Sequence, residues 1–114
     1  MKLLEHLPLL ANQRRALDEL RRRLMARPDV VALVLYGSAA RGTADPESDQ
    51  DVLVITSHAL TRPVRHEITD LAFDVNLRYD TNISTLVVDR QSWETGVLSI
   101  LPLHQEIIRD GVAL

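Results

Sequence analysis

Residues 37–51 read GSAARGTADPESDQD, and this stretch connects two apolar runs of the kind that form buried strands. The first run, Val30–Tyr36, ends at the small-residue pair Gly37-Ser38. The second begins directly after Asp49 and Asp51, which are one residue apart. Side chains at positions i and i+2 of a strand point to the same face, so the sequence predicts two carboxylates side by side.

The chemistry of these residues predicts a pocket for a metal-bound triphosphate. Neighbouring carboxylates are the hard oxygen ligands that a divalent cation carrying phosphates requires. A turn of small residues at the end of the preceding strand lets a phosphate approach the backbone closely.

The composition predicts one globular domain spanning residues 1–114, with 46% hydrophobic and 25% charged residues. The absence of Cys excludes a disulfide framework and a thiolate zinc site. No apolar run is long enough to span a membrane and no secretory signal is evident, so we expect a cytoplasmic protein. With a net charge of −3, direct nucleic-acid binding is not expected, although residues 1–27 are basic.

Hydrophobic spacing predicts the order of the elements. A helix capped by Asn12 runs to about Arg27, and a last helix covers Pro102–Asp110. Strands are predicted at Val30–Tyr36, Asp51–Thr56 and Asn82–Val88, with one helical turn at Ala39–Arg41.

Residues 63–79 carry two patterns. Apolar residues recur at helical spacing throughout, whereas 73–79 alternate strictly as a strand does. The longer pattern favours a helix, and a strand over 73–79 is the alternative. On the helix, Phe73 and Leu77 lie opposite the core stripe; either they form an apolar surface patch with residues 97–101 or the last helix covers them.

At this point the chain resembles the polymerase-β-like nucleotidyltransferase superfamily. The resemblance rests on Gly37-Ser38, ten residues, then Asp49-Gln50-Asp51. Ala40-Arg41-Gly42 and Ser48 are similar to the small, free-standing members, the minimal nucleotidyltransferases encoded beside HEPN-domain proteins as antitoxin and toxin. The resemblance implies an α+β fold with a small mixed β-sheet flanked by helices.

The resemblance also implies roles for five residues. Gly37 and Ser38 would hold the triphosphate through backbone amides and the Ser38 hydroxyl, and Asp49 and Asp51 would bind the Mg²⁺ that bridges the phosphates. Arg41 is placed to meet phosphate charge. The alternative for Arg41 is an ion pair with Asp45 or Glu47 across the loop.

The function that the resemblance implies is that of an antitoxin. It would bind a HEPN-type RNase toxin and transfer AMP from Mg-ATP to a tyrosine hydroxyl on it, as part of a homo- or hetero-oligomer. One alternative is a catalytically weak or inactive nucleotide-binding module that neutralises its partner by complex formation. Another is a small-molecule nucleotidyltransferase.

The sequence departs from active members at the third carboxylate, which they usually carry on the next strand. Asp80 shares strand parity with Asn82 and Ser84 and is the best candidate. Asp74 qualifies only if residues 73–79 form a strand. Otherwise Ser84 or water takes that position, and transfer would be slower without a base near the acceptor hydroxyl.

Overall fold

The computed structural model describes residues 3–43 and 48–114. The helices of this part of the chain are α1 (Ala11–Met25), α2 (Gly37–Arg41), α3 (Arg62–Tyr79), α4 (Arg90–Glu94) and α5 (Pro102–Asp110), with 3-10 turns at Leu4–His6 and Val97–Ile100. The strands are β1 (Val30–Tyr36), β2 (Gln50–Thr56), β3 (Ile83–Asp89) and β4 (Val112–Ala113). Across these two ranges, no helix combines the length and the apolar character needed to cross a membrane.

The four strands form one mixed sheet in the order β3-β2-β1-β4. β1 runs antiparallel to β2 and to β4, whereas β2 and β3 are parallel. A parallel pair needs a crossover connection, and α3 supplies it. The predicted α+β fold with a small mixed sheet is therefore confirmed, and the three predicted strands agree with the structure to within one residue at each end.

The core lies on both faces of the sheet, because successive residues of a strand point in opposite directions. Val52 and Val54 of β2 pack under α1 and α3 on one face. Leu53, between them, packs with Trp93 of α4 and Ile107 of α5 on the other face. The sheet therefore lies between a layer formed by α1 and α3 and a layer formed by α4 and α5.

The aromatic contact in that second layer joins α4 to α5. Trp93, the one tryptophan of the sequence, is buried. Its ring centroid lies 4.4 Å from that of His104 on α5, with the planes inclined at 43°. Together with the packing of Ile107, this contact holds α5 against the sheet.

Residues 63–79 form a helix, as the longer pattern predicted. Ile68 and Val75 are fully buried on its core face. Phe73 and Leu77 are 63% and 69% exposed. Residues 97–101 lie with α4 and α5 on the other side of the sheet, so both alternatives are wrong: these residues form no joint patch with Phe73 and Leu77, and the last helix does not cover Phe73 and Leu77. The sheet lies between Phe73 and Leu77 on one side and residues 97–101 on the other.

The start of α1 differs from the prediction that Asn12 caps it. The helix begins at Ala11, and the backbone N–H of Leu10 donates to Gln13 Oε1 at 2.9 Å. The Asn12 amide instead donates to the carbonyl oxygens of Tyr79 and Asp80, at 3.0 and 3.2 Å. The Asn12 side chain therefore makes a contact that is distant in sequence, and it does not cap the helix.

Candidate functional site

The register between β1 and β2 brings the two halves of the motif together. Tyr36, the last residue of β1, pairs with Asp51, so Gly37 leaves the strand beside that carboxylate. A Cβ on Gly37 would lie 2.7 Å from Asp51 Oδ2, and the φ angle of Gly37 is 73°. Both the space and the left-handed backbone therefore favour glycine at this position.

The short helix α2 carries the remaining motif residues out of β1. Ser38 is half-buried in its first turn and Arg41 is exposed in its last. The helix ends at Gly42, which has a φ of 74°. The predicted helical turn at this position is confirmed. Asp45 and Glu47, the alternative ion-pair partners of Arg41, lie outside the described residues.

Asp49 and Asp51 flank Gln50, the first residue of β2. Asp49 is exposed and Asp51 is half-buried. Burial raises the pKa of the Asp51 carboxyl above its ordinary value, and the negative charge of Asp49 raises that pKa further. A divalent cation held by both carboxylates would offset this unfavourable charge, and oxygen donors are what Mg²⁺ takes. The two residues therefore fit the predicted magnesium site.

Asn82 is a neighbour of this pair for which the sequence predicted no role. Its side-chain amide donates a hydrogen bond to Asp49 Oδ1, and its backbone oxygen accepts from the N–H of Gln50 at 3.1 Å. The two bonds fix the entrance of β3 against the start of β2 and hold the Asp49 carboxylate. Because Asn82 is 33 residues away in the chain, no local pattern could have predicted this contact.

One cleft collects four of the five predicted site residues. We call it the Asp51 cleft; it has a volume of about 360 Å³ and its walls include Gly37, Ser38, Arg41 and Asp51. The facing wall comes from α5, through Leu103, Glu106 and Ile107. A cation, a small-residue turn and a carboxylate around one space can receive phosphate groups together with a divalent ion. Glu106 was not predicted, since it belongs to no motif in the sequence.

Residues 14–110 match the sequence model of the nucleotidyltransferase domain family. The matched range contains the Gly-Ser turn, the aspartate pair and the helix that faces them. The chain belongs to the nucleotidyltransferase domain family.

Among proteins of similar sequence, this nucleotidyltransferase domain matches the Methanocaldococcus jannaschii protein MJ1305, whose name proposes that it is a protein adenylyltransferase. The two are 38% identical over 77 residues, which is 66% of this chain and 51% of that protein. The chain spans about half the length of the curated relatives it matches.

Solved structures share the fold of this nucleotidyltransferase domain. A protein assigned as a minimal nucleotidyltransferase is 24% identical, with a TM-score of 0.59 over 99% of this chain and 97% of that one. A toxin–antitoxin structure with AMP-PNP is 24% identical, with a TM-score of 0.56 over 91% and 72%. A tri-AMPylated Shewanella oneidensis HEPN toxin in complex with an MNT antitoxin gives 22% identity and a TM-score of 0.50 over 90% and 67%.

Neither predicted third carboxylate lies at the aspartate pair, and within the described residues no three His, Asp or Glu side chains are grouped to hold a metal. Asp74 lies on α3 and pairs with Arg23 at 2.7 Å. Asp80 ends α3, beside a different cleft. The residue of β3 in register with Asp51 is Ser84, an exposed hydroxyl.

Proposed function

We propose that this nucleotidyltransferase domain is an antitoxin that binds a HEPN-type RNase toxin and transfers AMP from Mg-ATP to a tyrosine hydroxyl on it. The observation that carries the proposal is the pairing of Tyr36 with Asp51, which brings the Gly-Ser turn and the Asp51 carboxylate to one cleft. A solved complex of similar fold contains a tri-AMPylated HEPN toxin and an MNT antitoxin, and this supports the choice of partner and modification. In this proposal residues 1–114 act as one minimal nucleotidyltransferase domain.

Each site residue has a part in binding the nucleotide. Asp49 and Asp51 would hold Mg²⁺, which would neutralise charge that develops on the phosphates during transfer. Gly37 and Ser38 receive the β- and γ-phosphates through backbone N–H groups and the Ser38 hydroxyl. Arg41, on the same wall of the Asp51 cleft, adds a positive charge toward the phosphates.

The transfer itself is a displacement at the α-phosphorus. The tyrosine oxygen forms a bond to that phosphorus while the bond to the oxygen bridging the α- and β-phosphates breaks. Pyrophosphate leaves with the bonding electron pair, and the phenol proton passes to solvent water. The domain contributes mainly by holding nucleotide and acceptor in alignment.

The test is to incubate the purified chain with Mg-ATP and the HEPN-domain protein encoded beside it, and to weigh the partner by mass spectrometry. We expect a mass gain of one or more AMP groups on tyrosine, and none with the Asp49→Asn/Asp51→Asn variant. Asp70→Asn is the matched control, because Asp70 is an exposed carboxylate of α3 outside the site. A partner that binds but gains no mass would contradict transfer.

Ser84 favours a second candidate function, a nucleotide-binding module that neutralises its toxin by forming a complex. A hydroxyl at the β3 position beside Asp51 cannot complete a three-carboxylate site or act as an efficient base. Under this alternative, the Asp49→Asn/Asp51→Asn variant still protects cells that express the toxin. Loss of protection in that variant, with complex formation intact, would favour catalysis.

A further inference from the structure

The Asp51 cleft has two walls of different chemistry. One wall carries the Gly-Ser turn, the Arg41 guanidinium and the Asp51 carboxylate, which suit phosphate groups with a divalent ion. The facing wall, on α5, carries the apolar side chains of Leu103 and Ile107 and the carboxylate of Glu106. Because carboxylate and phosphate groups are both negatively charged, the α5 wall suits a different part of the ligand.

Packing fixes α5 against the sheet beside the motif residues. Ile107 packs with Leu53 of β2. Directly after the helix, the N–H of Gly111 donates to the Ile107 carbonyl at 2.7 Å, and a Cβ on Gly111 would lie 2.7 Å from Val34 Cγ1. The end of α5 therefore approaches β1 as closely as a glycine allows, and the helix holds its side chains at a set place in the cleft.

The three α5 residues of the cleft share one face of the helix. Leu103, Glu106 and Ile107 are at positions i, i+3 and i+4, which are neighbours on a helix surface. Ile107 is buried and Leu103 is half-buried, whereas Glu106 is exposed. The apolar pair therefore forms the buried side of this face, and the carboxylate lies on its solvent side.

The carboxylate of Glu106 is free to bind a ligand. Within residues 3–43 and 48–114 it takes part in no hydrogen bond or ion pair. The positive charge of Arg109 lies near it on α5, but the Arg109 guanidinium is hydrogen-bonded to Asp110 at 2.9 Å. An ionised carboxylate only accepts hydrogen bonds, and its two oxygens can receive several donors. A ligand group beside Glu106 must therefore supply hydrogen-bond donors.

The chemistry of a nucleotide indicates which group this is. The ribose is joined to the α-phosphate through one oxygen and one methylene carbon, so it lies directly beside phosphates that are bound at Asp49 and Asp51. The base extends further away. The 2′ and 3′ hydroxyls of ribose are neighbouring donors, and a carboxylate that accepts from a ribose hydroxyl recurs in nucleotide-binding proteins.

We infer that Glu106 binds the ribose of the nucleotide, by accepting hydrogen bonds from its 2′ and 3′ hydroxyls, and that it makes the domain selective for ribonucleotides. The inference rests on the proposed function, because it takes Mg-ATP as the ligand of the Asp51 cleft. Leu103 and Tyr36, which also lines this cleft and packs against the same apolar cluster, contact the carbon atoms of the sugar. The last helix thus selects the substrate as well as closing the cleft.

The experiment compares the binding of ATP and of 2′,3′-dideoxy-ATP, each with Mg²⁺ and without acceptor protein, by titration calorimetry. We expect the unchanged chain to bind ATP about tenfold more tightly, in line with hydrogen bonds to a charged but solvated group. Glu106→Ala should lose this preference, because its affinity for ATP falls while its affinity for the dideoxy nucleotide stays the same. Glu106→Gln should keep part of the preference, since the amide oxygen still accepts a hydrogen bond.

Glu94→Ala is the matched control, because it removes an exposed carboxylate of α4 that lies outside the Asp51 cleft. It should keep the full preference for ATP. Equal affinities of the unchanged chain for the two nucleotides would overturn the ribose contact, and so would a Glu106→Ala chain that still prefers ATP. An equal loss of affinity for both nucleotides in Glu106→Ala would assign this carboxylate to the metal or the phosphates, which also overturns it.

The same titrations separate this inference from the proposed function. Selective binding of ATP by a chain that transfers no AMP to the HEPN-domain protein would support the ribose contact and contradict only the transfer. Failure of the unchanged chain to bind either nucleotide would contradict the proposed function, and the ribose contact with it.

Discussion

Gly37 shows how a single missing side chain shapes this site. Two separate features require glycine at this position: its left-handed φ, and the Asp51 carboxylate, which leaves no space for a Cβ. We expect Gly37→Ala to lower the free energy of unfolding by about 1–2 kcal/mol, because an L-residue in this backbone region is strained. We also expect the affinity for a Mg-ATP analogue to fall at least about tenfold, because the new methyl group displaces the Asp51 carboxylate.

The two effects can be separated with Gly42→Ala. Gly42 has nearly the same φ, 74°, but the nearest atom to its added Cβ is Pro8 Cδ at 3.7 Å, an ordinary contact. This control should lose similar stability in urea unfolding while it binds the analogue almost normally in calorimetry. Equal losses of affinity in both variants would mean that backbone strain, and not the Asp51 contact, is what matters.

At the level of residues, the sequence predicted what is encoded locally. The spacing of Gly37 and Asp51 was sufficient, because a strand on each side of the loop sets their register. Asn82 and Glu106 reach the site through tertiary packing of β3 and α5, so no local pattern identifies their contacts. Asn12 was assigned the wrong partner for the same reason, since its amide binds carbonyls 67 and 68 residues away.

At the level of elements, the long periodic segments and the helical turn α2 were predictable, whereas the two-residue strand β4 was not. The helical spacing of residues 63–79 predicted α3 correctly against the competing alternation over 73–79, because the buried residues follow the longer period. β4 has only two residues, Val112 and Ala113, which is too short to show alternation. It exists because it pairs with Val34 and Leu35, and that pairing could not be predicted from its own sequence.

The parallel pairing of β2 with β3 gives an element-level prediction. Ser84 is in register with Asp51, so Ser84→Asp places a third carboxylate beside the pair. We expect AMP transfer to the protein acceptor to accelerate by roughly tenfold or more, since a positioned base contributes at least that much in enzymes. Initial rates at saturating Mg-ATP measure the effect.

Stability supplies an independent readout of the same variant. Without Mg²⁺, the added charge should lower the free energy of unfolding by roughly 0.2–1 kcal/mol, because like charges on neighbouring strands repel. With Mg²⁺ the loss should disappear. Ser84→Asn, which adds the same bulk without charge, should change neither rate nor metal dependence. If the stability of Ser84→Asp did not depend on Mg²⁺, the side chain at position 84 would not face the metal.

At the scale of the whole molecule, the proposed nucleotide site lies between the sheet and the layer that α4 and α5 form on one of its faces. The β1–α2 turn and the start of β2 belong to the sheet, while the facing wall of the Asp51 cleft belongs to α5 in the second layer. A ligand that touches both would bind the folded chain and not the unfolded one. The site therefore couples occupancy to global stability.

This coupling predicts the effect of metal and nucleotide on thermal unfolding. At a concentration one hundred times its Kd, a non-hydrolysable ATP analogue with Mg²⁺ should raise the free energy of unfolding by about 2.7 kcal/mol. Removal of Mg²⁺ with a chelator should abolish most of the increase, and so should Asp51→Asn. Thermal shift curves with and without chelator measure both effects. An increase that survives chelation would contradict a metal-bridged triphosphate.

The contact of Trp93 with His104 places the one tryptophan of the chain in the layer formed by α4 and α5, where its fluorescence can be measured. The chain has one tryptophan, and it stacks on the helix that closes the Asp51 cleft, two residues before Glu106. Its tryptophan fluorescence therefore comes from a single place in the fold, beside the imidazole ring of His104 on α5. A ligand that shifts α5 should change the emission of the unlabelled protein, and tryptophan fluorescence would then report occupancy of the Asp51 cleft.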